Sequence, residues 1–353
     1  MLRAVLVTPL SGPLAGYGRA GAVALQVWAD RFAGGVELMA IDAHPDPRAA
    51  ARRAVRAEPD LLFGPYGSGP AREVAAASAR LVWNHGGARV EAAGNVVSVL
   101  APADTYFDGA VRAVHRADPG LPGVSIRYAG SGFPRAVAAG AAASARALGL
   151  RVSCTPLPAD PTGDSTGDPT GDPTGLLLVA GGFADELAAA RRLLPGRWRA
   201  AGLVGAGVEE VLADLGPRRE GLLGPAQWVP EVAADPDEGP TAAEFAAAYR
   251  AVTGVDPPYP AAQAFASGVI ALRCLRDAGI GTRPAAGGTD LDAAVLAAAR
   301  ALDCTTLLGR FRLDATGRQV GHRVLTVQWQ DGVRRVVWPP ERAQAGMRYP
   351  LSA

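Results

Sequence analysis

The sequence predicts an α/β protein made of two doubly wound lobes, each built on a largely parallel sheet. Short apolar runs alternate with alanine-rich stretches whose apolar residues recur at helical spacing, a pattern typical of βαβ units. This alternation occurs twice, in the first hundred residues and again from about residue 124. A length of 353 residues, 49% of them hydrophobic, also suits two domains of ordinary size.

The first series predicts strands at 36–41, 61–63 and 96–100. Between them, Leu25, Trp28, Ala29 and Phe32 repeat at three- and four-residue spacing, which indicates a helix with one buried face. The second series predicts a strand at 124–128, a helix from about 134 to 148, a strand at 176–180 and a helix from about 184.

Two turn-rich segments stand out from these elements. Near the C-terminus, apolar runs at 324–329 and 333–338 flank Asp331-Gly332, a pair that favours a tight antiparallel hairpin at a sheet edge. Residues 161–175 read PTGDSTGDPTGDPTG and contain no apolar anchor, so we expect a disordered surface loop. Asp160, Asp164, Asp168 and Asp172 suggest a calcium site, but their spacing is not that of an EF-hand loop.

Composition and charge argue against several classes of partner. Lys and Arg number 35 against 34 Asp and Glu, and neither sign is concentrated in a stretch that would suit nucleic acid or an anionic membrane. The residues after Met1 lack the apolar segment of a signal peptide, which predicts a cytoplasmic protein unless a leader was removed. Cys154, Cys274 and Cys304 have no metal-ligand spacing, although a disulfide between Cys274 and Cys304 stays open.

Three predicted strands end in short glycine-rich loops, which lie in the segments 8–18, 63–69 and 81–88. Open α/β sheets bind ligands at the carboxyl ends of their strands, so the three loops together predict a ligand site. Ser68 precedes Pro70 at the start of a helix, where a hydroxyl and unpaired N–H groups suit a carboxylate. Alternatively, Ser68 only caps its own helix.

Catalytic patterns are missing from the sequence. Gly12, Gly16 and Gly18 do not have dinucleotide-binding spacing, and Gly67-Ser68-Gly69 is too short for a nucleophile elbow. No nucleophile with its base, paired carboxylates or metal cluster is recognisable. The sequence therefore favours a protein that binds a small molecule, without catalysis and without a cofactor.

Several motifs in order resemble the leucine/isoleucine/valine-binding protein family, which has the type I periplasmic-binding fold. They are PLSGPLAGYG, GPYGSG, WNHGGA, GLLGPAQW and LLGRFRLD. The resemblance implies two lobes with a ligand between them and three crossings, near 100–106, 221–228 and 305–311. The first lobe would then contain 1–103 and 228–305, and the second 104–227 and 306–353.

The resemblance also implies the ligand contacts. Ser68 would hold a carboxylate, the Gly86 carbonyl would face an ammonium group, and Ala88 would offer its backbone N–H. Aromatic residues would line the cleft. The full set of expected ligand-binding residues is Tyr17, Ser68, Trp83, Asn84, His85, Gly86, Gly87, Ala88, Phe133, Phe183, Gly207 and Trp228. For Trp83 packing in the core is an equal alternative, whereas Trp228 lies on a predicted crossing and is expected to face the cleft.

One position departs from the family pattern. Gly207 stands where relatives carry the acid that pairs with the ligand ammonium. Asp185 and Glu209 are possible substitutes, but charges at helix starts are usually solvated. We therefore expect an amide, an aromatic or aliphatic acid, or a modified amino acid as ligand. The expected role is solute delivery to an ABC-transporter permease, and the alternative is a cytoplasmic sensor that signals to a protein partner.

Overall fold

The computed structural model describes residues 1–91, 94–158, 175–196, 198–208, 212–280 and 289–351. The chain divides into two compact units. The first unit contains Met1–Pro102 and Trp228–Arg323, and the second contains Ala103–Gln227 and Val324–Ala353. The α/β class with largely parallel sheets is confirmed.

In chain order the strands are β1 (Leu2–Thr8), β2 (Val36–Asp42), β3 (Leu61–Phe63), β4 (Val82–Asn84), β5 (Val96–Ser98), β6 (Gly123–Tyr128), β7 (Arg151–Pro156), β8 (Leu176–Ala180), β9 (Ala200–Leu203), β10 (Leu223–Ala226), β11 (Asp303–Thr306), β12 (Gly309–Arg312), β13 (Leu325–Gln330) and β14 (Val333–Trp338). The α-helices are α1 (Ala15–Arg31), α2 (Pro47–Arg56), α3 (Ser68–Ala77), α4 (Asp108–Ala117), α5 (Gly132–Ala147), α6 (Phe183–Leu193), α7 (Ala242–Thr253), α8 (Tyr259–Asp277) and α9 (Thr289–Ala301).

The first unit has a parallel five-stranded sheet in the order β2-β1-β3-β4-β5. Alternate residues of β1 supply two different cores, as the two-residue period of a strand requires. Leu6 packs in the core that contains α1 and α8, whereas Val7 packs with residues of α2 and α3. The close packing of α1 on α8 depends on Gly268, because a Cβ there would lie 2.5 Å from the Trp28 ring.

The third boundary between the units differs from the sequence prediction. The first two boundaries lie within the predicted ranges, but the third follows Arg323 instead of lying at 305–311. Residues 306–323 therefore belong to the first unit. The antiparallel pair β11-β12 explains this, because Leu307 and Phe311 are buried in the same core as α1 and α8.

The second unit has a seven-stranded sheet in the order β14-β13-β10-β9-β8-β6-β7. Strands β10, β9, β8, β6 and β7 are parallel, and β13 and β14 add an antiparallel edge. The predicted Asp331-Gly332 turn is confirmed: both residues have positive φ, 55° and 77°, and Gln330 pairs with Val333. Helix α5 contacts β6, β7 and β8, and α6 packs on residues of β8 and β9.

Two further sequence predictions concern the loop at 161–175 and the cysteines. Of the predicted loop at 161–175, residues 161–174 lie outside the described residues, as do Asp160 and the aspartates of the repeat. Cys274 on α8 and Cys304 on β11 are buried free thiols, and burial raises the pKa of Cys304 to about 12. Among the described residues, no helix has the length and apolar character needed to span a membrane.

Candidate functional site

The carboxyl ends of β1, β3 and β4 lie side by side in the first unit. Leu6 of β1 is in register with Phe63 of β3, which is in register with Trp83 of β4. The three glycine-rich loops predicted from the sequence therefore emerge at one edge of the sheet. This edge is where open parallel sheets bind their ligands.

Ser68 is the first residue of α3, directly after Gly67, which has a φ of 96°. Its Oγ accepts a hydrogen bond from the Arg89 backbone N–H at 3.0 Å. The acceptor side of the hydroxyl is thus used within the protein, and its proton can be donated outward. Pro70 has no N–H, so the N–H groups of the first turn of α3 that lack an intrahelical acceptor are those of Ser68 and Gly69. Together with the hydroxyl they form a donor set suited to a carboxylate.

Asn84 and the glycines after it shape the loop beside Ser68. The Asn84 side chain is buried, and its Nδ2 donates to the Gly87 carbonyl at 2.9 Å and to Ser98 Oγ at 2.8 Å. Gly87 N–H donates back to Asn84 Oδ1 at 2.9 Å. The Asn84 amide therefore holds the loop in place, and contact of Asn84 with a ligand stays a prediction.

The Gly86 carbonyl, expected to face a ligand ammonium, accepts a hydrogen bond from Gly67 N–H at 2.9 Å. A Cβ on Gly86 would lie 2.4 Å from the Tyr66 Cα, so this position needs glycine. The contact joins the β4 loop to the start of α3. Ala88 follows in the same loop and is half-buried, and its contact with ligand stays a prediction.

Two tryptophans predicted at the ligand site belong to the core of the first unit. Trp83 is 1% exposed, which agrees with the alternative that it packs in the core. Trp228 is 6% exposed, and its Nε1 donates to the Leu307 carbonyl at 3.0 Å. Its ring packs edge-on against Phe245. Trp228 thus packs in the core with its indole N–H bonded to a backbone acceptor, and its contact with a ligand stays a prediction.

His85 is also buried, with 0% exposure, and its expected contact with a ligand stays a prediction. Neither ring nitrogen has a hydrogen-bond partner among the described residues. The ring lies near α1 and α8, since a Cβ on Gly21 would be 3.3 Å from His85 Cε1 and 3.4 Å from Ala264 Cβ. Burial lowers the pKa of His85 to about 4, so the ring is neutral at pH 7.

This burial predicts acid sensitivity. Below a pH of about 6.5 the unfolded chain protonates His85, while the folded chain does not until about pH 4. The stability attributable to His85 is therefore present above pH 6.5 and lost as pH falls toward 4, by about 3 kcal/mol in total. Urea unfolding of wild type and His85→Leu at pH 7 and pH 4.5 measures this loss.

The matched control is His115→Leu, which changes a half-buried histidine of the second unit. We expect His85→Leu to lose distinctly less stability than wild type between the two pH values, and His115→Leu to follow wild type. Equal acid losses in His85→Leu and wild type would show that the ring is not the responsible group.

Three tyrosines cluster near Ser68. Tyr17, predicted at the site, stacks on Tyr66 with a centroid distance of 4.7 Å and an interplanar angle of 15°. The hydroxyl groups of Tyr66 and Tyr259 are hydrogen-bonded to each other. Sequence reasoning missed Tyr66 and Tyr259. Tyr66 lies inside the GPYGSG motif and could have been included, whereas Tyr259 is 193 positions away and only the fold brings it there.

Asp42, at the end of β2, fixes the loop after β1. Burial of Asp42 is outweighed by hydrogen bonds from Ser11 Oγ and from the N–H groups of His44 and Leu10, which lower its pKa to about 2. Ser11 Oγ donates to Asp42 Oδ2 at 2.6 Å and lies 3.3 Å from His44 Nδ1. This order places serine between the acid and the histidine, whereas a catalytic triad places histidine in the middle. Among the described residues, no cluster of metal-ligating side chains is present.

In the second unit, the two phenylalanines predicted at the site begin helices that follow adjacent parallel strands. Phe133 lies in the first turn of α5 after β6, and Phe183 begins α6 after β8. Phe133 packs edge-on against Tyr106 at 5.5 Å, and Phe183 is 38% exposed. Both are at the carboxyl edge of their sheet, and their contact with ligand stays a prediction.

The acidic side chains near this edge accept hydrogen bonds from backbone N–H groups of the protein. Asp185 Oδ2 accepts from Gly182 N–H at 3.1 Å and caps α6. Glu186 is fully buried and accepts N–H hydrogen bonds from Gly181 at 3.0 Å and from Gly205 at 2.6 Å. Burial raises the pKa of Glu186 to about 8 against the opposing effect of these N–H groups. Glu209 lies outside the described residues.

Gly207 is buried in a tight turn after β9. A Cβ at this position would lie 1.8 Å from the Pro225 carbonyl oxygen of β10, so the backbone admits glycine alone. Arg334 on β14 donates to the Gly207 carbonyl, and Trp329 Nε1 donates to the Ala206 carbonyl at 3.0 Å. The turn is thus anchored to the β13-β14 hairpin, and position 207 has no room for an acidic side chain.

Comparison with known proteins gives a consistent result. The sequence matches the family described as "Periplasmic binding protein" over residues 2–170 and 174–333. No curated protein matches significantly. Many solved structures share the fold.

Three of these structures illustrate the similarity. A putative branched-chain amino acid ABC transporter protein from Silicibacter pomeroyi has a TM-score of 0.79 at 18% identity, with 99% of both chains covered. A leucine-binding protein from Thermotoga maritima has a TM-score of 0.72 at 16% identity, covering 95% of this chain and 97% of its own. An ABC-transporter solute-binding protein from R. palustris, in complex with benzoate, has a TM-score of 0.70 at 16% identity, with 95% of both chains covered.

Proposed function

We propose that this chain, which belongs to the periplasmic binding protein family, is a solute-binding protein for a small organic acid that lacks an α-ammonium group. We further propose that it serves uptake through an ABC-type permease, as the descriptions of its structural relatives suggest. The donor set at Ser68 supports the carboxylate of the proposed ligand, and the lack of room for an acid at Gly207 supports the absence of an ammonium group.

A carboxylate fits the first unit because Ser68 and the start of α3 offer hydrogen-bond donors. The Ser68 hydroxyl accepts from Arg89 N–H and so has its proton available. The start of α3 adds unpaired N–H groups and the positive end of a helix dipole, which stabilise an anion. Hydrogen bonds between such donors and an ionised carboxylate are stronger than neutral ones.

The body of the ligand is proposed to contact the tyrosine cluster. Tyr66 is two residues from Ser68, and its ring stacks on Tyr17. The Tyr66 and Tyr259 hydroxyls share one hydrogen bond, and the aromatic rings of the cluster are the proposed apolar contact surface. Such surfaces favour a flat aromatic or an aliphatic group over a polar one. Benzoate, bound by the relative from R. palustris, is an acid of this kind.

A ligand ammonium group would have no free carboxylate to pair with at positions 185, 186 and 207. Position 207 has no side chain, Asp185 caps its helix, and Glu186 is enclosed by backbone N–H groups. The Gly86 carbonyl already accepts one hydrogen bond. Enclosing an ammonium without a carboxylate costs several kcal/mol, more than one extra hydrogen bond returns. Leucine, isoleucine and valine are therefore expected to bind weakly.

A thermal-shift panel tests the proposal. It pairs each amino acid with an acid of similar shape that lacks the amine, such as leucine with 4-methylpentanoate, and adds benzoate, 3,4-dihydroxybenzoate and benzamide. A ligand at one hundred times its Kd stabilises the folded state by about 2.7 kcal/mol. The proposal expects stabilisation by acids without the amine. Stabilisation by leucine, isoleucine or valine but not by these acids would contradict it.

Ser68→Ala is the matched variant for the acid that binds best. Loss of the hydroxyl donor is expected to weaken binding by about 1 to 3 kcal/mol, or roughly 5- to 150-fold in Kd. Calorimetric titration measures the change, and Ser68→Thr, which keeps a hydroxyl, is expected to retain most of the affinity. Equal Kd values for wild type and Ser68→Ala would reduce Ser68 to a structural residue.

A further inference from the structure

A polar patch lies on one face of the second unit's sheet, on strands β6 and β7. Ser125 and Arg127 alternate along β6, and their register partners on β7 are Ser153 and Thr155. Residues in register on parallel strands share a face, so the four side chains belong to one surface. Ser153 Oγ donates to Ser125 Oγ at 3.2 Å, which shows that two of these hydroxyls are in contact.

The same face is packed against α6. On β8, Leu177 is in register with Ser125 and Val179 with Arg127. Leu177 and Val179 belong to the core that contains Ala189 and Ala190 of α6. Arg127 therefore projects from a strand position whose neighbour on β8 is apolar, at the border of a hydrophobic core.

Arg127 is buried but unpaired. It is 7% exposed, and its Nε has no hydrogen-bond partner. Among the described residues, no carboxylate forms an ion pair with it. Arg80, a similarly enclosed arginine of the first unit, differs in this respect, because its guanidinium makes two hydrogen bonds to Asp292, at 2.7 and 3.2 Å. Burial, together with the positive charge of Arg192, lowers the pKa of Arg127.

The charged groups around Arg127 do not neutralise it. Arg192, on the last turn of α6, adds a second positive charge. Of the acids on α6, Asp185 caps the helix start and Glu186 is held by Gly181 and Gly205. A buried cation without a partner is costly, and an apolar side chain would stabilise this position better.

We propose that Arg127, together with Arg192 and the hydroxyls of Ser125, Ser153 and Thr155, forms a binding site for a small oxyanion such as phosphate. A guanidinium beside hydroxyl groups is a donor set that matches the tetrahedral oxygens of phosphate or sulfate. The site is distinct from the one around Ser68, which lies in the other unit. The protein would thus have a second ligand site, which binds an oxyanion.

Thermal unfolding of the full chain in phosphate and in chloride at equal ionic strength tests the site. Wild type is expected to melt a few degrees higher in phosphate than in chloride, because the anion binds only the folded state. Arg127→Met, which replaces the cation with an apolar chain of similar length, is expected to lose this difference. In chloride, Arg127→Met is expected to melt at or above the wild-type temperature, since an unpaired buried cation is removed.

Calorimetric titration with inorganic phosphate gives the second readout, with an expected loss of about tenfold or more in affinity for Arg127→Met. The matched charge control is Arg116→Gln, which removes an exposed arginine of α4 and is expected to behave as wild type. Ser68→Ala, which changes the other site, is also expected to keep the phosphate response. A wild type that melts equally in phosphate and chloride, or an Arg127→Met variant that responds as wild type does, would overturn the proposal.

Discussion

Glu186→Ala is expected to lower the free energy of unfolding by about 3 to 5 kcal/mol, because each buried donor left without a partner costs about 1 to 3 kcal/mol. The Glu186 carboxyl joins Gly181, after β8, to Gly205, after β9, through the N–H groups of both glycines. The side chain is fully buried, so water cannot replace it without opening the structure. Urea unfolding of wild type and variant measures the loss.

Two neighbouring variants separate this role from ordinary effects on α6. Glu186→Gln keeps one acceptor oxygen and is expected to lose about half as much stability as Glu186→Ala. Asp185→Ala removes only a helix cap and is expected to cost about 1 kcal/mol or less. If Glu186→Ala and Asp185→Ala were equally mild, the two N–H groups would have found other acceptors and the proposed bridge would be unimportant.

Much of the fold follows from local sequence patterns. The runs at 61–63 and 176–180 are strands as predicted, and the Asp331-Gly332 turn has the positive φ angles that its residues tolerate. The position of Ser68 at the start of a helix also followed from the local sequence, because Gly67 and Pro70 limit where a helix can begin. In these cases a few adjacent residues determine the backbone, so no long-range contact was needed.

The burial of several residues predicted at the site was not evident from the sequence. Trp83, Asn84 and His85 lie at the end of a strand that is buried on both faces, where the sequence shows no alternation between apolar and polar residues. Without alternation, nothing local distinguishes a side chain in the core from one at the edge. The burial of Trp228 was not evident either, because its acceptor, the Leu307 carbonyl, is 79 residues away.

Long-range assembly also explains what was missed. The tyrosine cluster joins Tyr66 to a residue 193 positions later, and the pair β11-β12 joins the first unit through the buried side chains of Leu307 and Phe311. Glu186 resembles any acid in the first turn of a helix until its acceptor role toward Gly205 is known. Each of these features depends on two segments that are distant in sequence and adjacent in the fold.

Gly207→Ala is expected to lower the free energy of unfolding by about 3 kcal/mol or more, because the added Cβ would lie 1.8 Å from the Pro225 carbonyl oxygen. The turn has little freedom to move, since the carbonyls of Ala206 and Gly207 are held by Trp329 and Arg334. Gly130→Ala is the matched control in the same unit, because its new Cβ would have only the Arg135 side chain nearby, at 4.0 Å. Thermal and urea unfolding of both variants measure the difference.

The result also bears on the ligand. The resemblance to the leucine/isoleucine/valine-binding family implies an acid at position 207, and if Gly207→Ala unfolds the second unit, a single substitution could not introduce that acid here. The backbone of the turn would then exclude an ammonium-binding carboxylate at position 207. The proposed preference for ligands that lack the amine would follow from this packing. A Gly207→Ala variant as stable as Gly130→Ala would mean that the turn can shift by more than 1 Å. In that case Gly207→Glu becomes informative: improved leucine binding by that variant would show that the missing charge alone decides the ligand class.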